Sequence, residues 1–191
     1  MYETRRFGTA LGGNTRTDFY LKRPEDYRVL EFWVRDAVYQ PATEIIREAQ
    51  EAMGEDGYVS ANLGYSRMQE MIVNLMGIEQ FSIEWHERPN EVLHLEELMM
   101  EQHRKMFAVA AEAPVDLVEY GDNVHSRIIG LERFDRYCAP AYDEFADAVH
   151  ARGKIAGSHL DGPIRILKEP MARCKLDVIE AFACAPDGDA T

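Results

Sequence analysis

Apolar residues recur at two periods along the chain, and the alternation between them predicts its layout. From Pro24, with Glu25 and Asp26 in a first turn, Tyr27, Leu30, Trp33, Val34 and Ala37 share one helical face. A second helix follows Pro41 and turns Ile45, Ile46 and Ala49 toward a core, until Gly54 and Gly57 end it. Residues 58–63 are short and apolar and are closed by Gly64-Tyr65-Ser66, the pattern of a strand. Helix resumes through Met68, Met71, Ile72 and Leu75, whose methionines suit a deformable core, and is expected to stop at Gly77. Pro89 then opens a long helix with Val92, Leu95, Met99, Met106 and Val109 on one side. Glu96, Glu97, Glu101, Arg104 and Lys105 fall mostly opposite, and His94 and His103 are expected on that wet face.

The second half repeats the alternation. Residues 115–120 read as a strand ending in Gly121-Asp122-Asn123, and a helix follows through Phe134, Tyr137, Tyr142, Phe145, Ala146 and Val149. After Gly153 a strand runs into Ser158-His159-Leu160-Asp161-Gly162, a helix spans Pro163 to Cys174, and residues 176–182 form a last strand. Near-continuous apolar strands between helices predict an α/β fold with a parallel sheet under helical cover. Residues 1–20, with Gly8, Gly12, Gly13 and Asn14, suit a hairpin or irregular flap, and residues 21–191 carry the helices and parallel strands of a single domain.

Composition narrows the partners. With 46% hydrophobic and 29% charged residues the chain is ordinary for a globular domain. Its net charge of −13 argues against nucleic acid and anionic membranes, which need a basic footprint, and favours a small-molecule substrate or another protein. Cys138, Cys174 and Cys184 form neither a disulfide framework nor a thiolate zinc motif, which points to a reducing compartment. With no apolar run of membrane-spanning length and no signal peptide at Met1–Arg6, the expected location is the cytoplasm.

Candidate chemistry gathers at the predicted carboxyl ends of strands, where parallel α/β folds place their active sites. His159 and Asp161 lie two residues apart, so an extended backbone points both to one side, and Gly162 permits the sharp turn that follows. The structural alternative is that Asp161 caps the helix begun by Pro163. Asp122 and Asn123, then Glu180, then Tyr65 and Ser66 end the other strands. Cys184 follows the last strand and is a candidate third metal ligand beside His159 and Asp161.

Asp122-Asn123, the run from Phe134 to Tyr142, the run from Ala148 to Lys154 and the run from Ser158 to Gly162, taken in order, resemble the uroporphyrinogen decarboxylase superfamily. The resemblance is best over residues 57–186 and extends to about residue 20. It implies a (β/α)8 barrel of TIM type, of which this chain is expected to be a middle portion, incomplete at both ends. The superfamily includes zinc-dependent methyltransferases that move methyl groups between corrinoid proteins and thiols, with a His-x-Cys-Gly segment that binds zinc. Here His159 matches the histidine and Asp161 stands where the cysteine would be.

The resemblance therefore implies metal-assisted methyl transfer, with a divalent metal such as zinc held by His159, Asp161 and Cys184 and a corrinoid as methyl carrier. Asp122, Asn123 and Glu180 would be catalytic, Tyr65 and Ser66 would bind substrate, and a corrinoid protein or a second copy of the chain would be the partner. One alternative is a metal-free uroporphyrinogen decarboxylase of porphyrin biosynthesis, whose Gly-Ala-Pro-Phe-Thr-like turn is similar in place to Leu63-Gly64-Tyr65-Ser66; its arginine segment is not seen. Another is an inactive or partner-dependent barrel fragment.

Overall fold

The structure is a computed structural model that describes residues 6–8, 14–186 and 188–190. They belong to two compact units, Met1–Ala37 with Arg67–Gln102, and Val38–Ser66 with His103–Thr191. Of the expected amino-terminal hairpin, β1 (Arg6–Gly8) and β2 (Asn14–Arg16) pair antiparallel, and residues 1–5 and 9–13 lie outside the described residues.

Beyond that strand pair the first unit is helical. Pro24–Asp26 form a 3-10 turn that leads into α1 (Tyr27–Arg35), as the proline and acidic first turn predict. Tyr27 and Leu30 are buried, whereas Trp33 is 53% exposed, so the apolar face is narrower than its spacing implied. α3 (Arg67–Glu70) continues through a π turn, Met71–Leu75, into Gly77. The run ends at Leu75, as expected at Gly77, whose φ of +76° re-aims the chain; what the expectation lacked is that a new helix, α4 (Gly77–Glu87), begins at once. α5 (Pro89–Ala111) starts in this unit and runs into the second. Glu96, expected in water, is instead buried against Arg67 at 2.8 Å, because its partner comes from a helix 29 residues earlier that spacing within α5 does not reveal. Glu84 is likewise buried, accepting from Tyr27 Oη (3.1 Å), Gln80 (2.6 Å) and Arg88 (2.8 Å).

The second unit is a four-stranded parallel sheet in the order β3 (Ala61–Asn62), β4 (Leu117–Glu119), β5 (Ile155–His159), β6 (Val178–Glu180). Each strand lies inside its predicted run, and three are shorter than predicted because backbone pairing ends before the apolar pattern does. α2 (Thr43–Met53), α6 (Ser126–Arg133), α7 (Ala139–His150) and α8 (Lys168–Arg173) complete the unit. α6 was not predicted; Gly130, at φ +71°, breaks its apolar spacing, and a π turn at Phe134–Cys138 joins it to α7.

The two faces of the sheet differ. On one, Val118 and Ala156 are fully buried, and Tyr120 sits among Phe107 (centroids 5.0 Å), Phe145 (5.4 Å) and Tyr142 (6.1 Å). His103 belongs to this core rather than to the wet face: it is 8% exposed and its Nδ1 lies 2.8 Å from Tyr120 Oη, a partner 17 residues away. On the other face, Ile155, opposite Leu117, and Val178, opposite Gly157, remain 44% and 39% exposed. An open parallel sheet of four strands is therefore what these residues form. Among the described residues no helix is long and apolar enough to cross a membrane.

Candidate functional site

The carboxyl ends of β3, β4, β5 and β6 bring the predicted polar residues together in part. β5 and β6 pair in register from Gly157 with Val178 to His159 with Glu180, which sets the His159 and Glu180 side chains on the same face. His159 Nδ1 lies 2.8 Å from Glu180 Oε1. An ionised carboxylate only accepts, so Nδ1 carries the proton, and in the neutral ring Nε2 presents its lone pair. That nitrogen faces Asp161 Oδ2 at 3.8 Å, longer than a hydrogen bond. His159 thus stands between two carboxylates, one in contact and one held off.

Backbone geometry explains the placement. Beyond β5 the ladder continues as a bridge between Asp122 and Leu160, which keeps the chain extended through Asp161. Gly162 then turns at φ +89°, a conformation that a side chain would strain. Gly121 lets β4 end close to the histidine: a Cβ there would lie 3.3 Å from His159 Cβ. After Glu180 the chain turns sharply, with Ala181 at φ +55°.

Asp122 lies beneath this surface. It is fully buried; Oδ1 accepts the Ser66 amide at 2.7 Å, Oδ2 accepts the Tyr142 hydroxyl at 2.6 Å, and its own amide donates to the His159 carbonyl at 2.7 Å. Burial, followed by the charge of Asp122, pushes the Tyr142 phenol well above its ordinary range. Ser66 is buried too, which leaves half-buried Tyr65 as the member of that pair with access to solvent. Asn123 is half-buried, and His125 behind it accepts the Arg127 amide at the start of α6.

Cys184 is exposed in the loop after β6, where its carbonyl accepts from the Gly188 amide at 2.9 Å. Among the described residues, no three His, Cys, Asp or Glu side chains form a group that could hold a metal ion. Cys138 is buried in the π turn, and burial pushes the Cys174 thiol up to about 11. A groove of about 610 Å3 lined by Tyr58, Asp116, Leu117 and Ile155 lies at the amino ends of β4 and β5, the opposite end from His159.

Sequence reasoning missed Tyr142 and Glu119. Both were visible as polar groups in apolar runs, and a buried hydroxyl or carboxylate requires a partner. Tyr142 finds Asp122, and Glu119, 8% exposed, accepts the Ser60 hydroxyl at 2.7 Å.

No protein-family model matches the sequence, and a search of curated proteins finds no match. Among solved structures the chain is similar to a methyltransferase from Methanosarcina mazei, at 15% identity and a TM-score of 0.58, over 72% of this chain and 40% of that one. The chain spans about two fifths of that neighbour's length, and the likeness is one of fold.

Proposed function

We propose that the carboxyl ends of β5 and β6 carry part of a metal-assisted methyl-transfer site. The observation that carries this is the setting of His159, with Glu180 at 2.8 Å on Nδ1 and Asp161 at 3.8 Å from Nε2. Metal-ligating histidines commonly give their second ring N–H to a carboxylate, which fixes tautomer and orientation. In this scheme His159 Nε2 and Asp161 are ligands, and Glu180 orients the imidazole instead of reacting itself.

The donors fit two of the positions around a zinc-like divalent ion, and the described residues bring no third into the same group. Cys184, or a thiol belonging to the substrate, is the candidate for another. Such an ion lowers the pKa of a bound thiol or water and so supplies a nucleophile. Asn123 and Tyr65 border the strand ends and would contact a small-molecule substrate. The similarity in fold to a methyltransferase supports methyl transfer as the kind of reaction. In this proposal a thiol would be the acceptor and a corrinoid, free or on a partner protein, the carrier. The remaining barrel strands and the rest of the pocket would come from further chain or from a second subunit.

The test pairs metal binding with turnover. Zinc titration should show one site in the wild-type chain and none in His159→Ala. Loss of the methyl group from methylcobalamin to a small thiol should depend on that zinc. Absence of zinc binding in both proteins, or chelator-insensitive decarboxylation of uroporphyrinogen, would overturn the proposal in favour of the metal-free alternative.

A further inference from the structure

We infer that Tyr142, a fully buried residue of the outer helix α7, is a positioning residue for His159 that acts through Asp122. The inference rests on the site proposed above, although the contacts behind it do not. Four segments meet at Asp122, two of them at its carboxylate and one at its backbone amide. The Tyr142 hydroxyl donates to Oδ2 at 2.6 Å, and the Ser66 amide after β3 donates to Oδ1 at 2.7 Å. The Asp122 amide, just past β4, donates to the His159 carbonyl at the end of β5 at 2.7 Å. Tyr142, Asp122 and Leu160 are all fully buried, so water cannot replace a lost partner.

Packing alone does not account for the hydroxyl. The Tyr142 ring lies 6.1 Å from both Tyr120 and Phe134, and a phenylalanine would fill that space equally well without burying an oxygen. What the hydroxyl adds is a fixed place for Asp122. Since Asp122 holds the backbone of His159, that place sets where the imidazole stands relative to Glu180 and Asp161.

Three measurements on the 191-residue chain test this: zinc affinity, amide hydrogen exchange of the metal-free protein, and the ring 15N shifts of His159. Tyr142→Phe should weaken zinc binding about 10-fold, as loss of an outer partner does. It should accelerate exchange at the Ser66 and Asp122 amides about 10-fold while leaving Phe107 in α5 unchanged. Asp122→Asn should move all readouts the same way, and the double variant should lose less than the sum of the two. Uniform acceleration over the sheet, or local acceleration with unchanged zinc affinity and ring shifts, would reduce Tyr142 to a stabilising contact and overturn the inference. Should the wild-type chain take no zinc, the metal proposal fails, and unchanged His159 ring shifts in Tyr142→Phe would then overturn this one separately.

Discussion

Two histidine–carboxylate pairs stand at opposite ends of the β5–β6 ladder. At the amino end His150 Nε2 lies 2.7 Å from Asp177 Oδ2, and at the carboxyl end His159 Nδ1 lies 2.8 Å from Glu180 Oε1. The pairs are alike in chemistry and length, yet their surroundings differ. Asp177 Oδ2 also accepts the Ala156 amide at 2.8 Å, and Lys175 beside it donates to Asp147 and, through its amide, to Asp143 on α7. Those bonds tie the start of β6 to α7 and β5. Around His159, by contrast, the second ring nitrogen meets a second carboxylate at 3.8 Å, and among the described residues no backbone amide donates to either acid. A pair saturated by its own chain moors a strand, whereas a pair with unused ligand capacity can take something from outside.

The sharpest way to break that contrast is to remove each histidine in turn. His159→Ala should abolish zinc binding, a loss greater than about 100-fold, whereas His150→Ala should leave it unchanged; isothermal titration of the two variants decides. A smaller effect separates the acids. Glu180→Gln should weaken zinc binding about 10-fold by loosening the imidazole, while Asp177→Asn should not affect it. Stability should divide in the opposite sense: Asp177→Ala should cost about 1 kcal/mol in urea unfolding, because the Ala156 amide and His150 both lose their acceptor, and Glu180→Ala should cost less than about 0.5 kcal/mol.

The smallest effect is on pH. The Ala156 amide, and after it His150, hold the Asp177 carboxyl below its ordinary value of 3.8. A carboxyl lowered in the folded state contributes stability that is present above 3.8 and is lost as pH falls through the folded value. Its side chain is 45% exposed, so solvent screening limits the contribution to a few tenths of a kcal/mol. Unfolding midpoints measured below pH 4 should therefore fall slightly less steeply in Asp177→Asn than in wild type, and identical slopes would remove Asp177 as a mooring.

The residues that sequence reasoning located correctly are those whose placement depends on near neighbours. Pro24 and Pro89 begin helical segments because proline suits a first turn, and Pro114 and Gly153 precede strands. The period of two that put His159 and Asp161 on one side also holds, since the bridge to Asp122 keeps that segment extended. Glu96 and His103 were misplaced for the complementary reason. Each is polar at a helical position that looks wet, and each is buried by a partner on another element, Arg67 and Tyr120 respectively.

The sequence by itself determined that strands alternate with helices, that polar groups end those strands, and that a histidine and an aspartate emerge side by side. These follow from local backbone preference and from the periods of helix and strand, which depend on few residues. Only the tertiary structure decided which carboxylate touches His159. Glu180 is 21 residues away and meets it through the register of two parallel strands, and Asp122 is withdrawn into the core by Ser66 and Tyr142. Those choices depend on pairing energies summed over distant segments, and no window of sequence around His159 contains them.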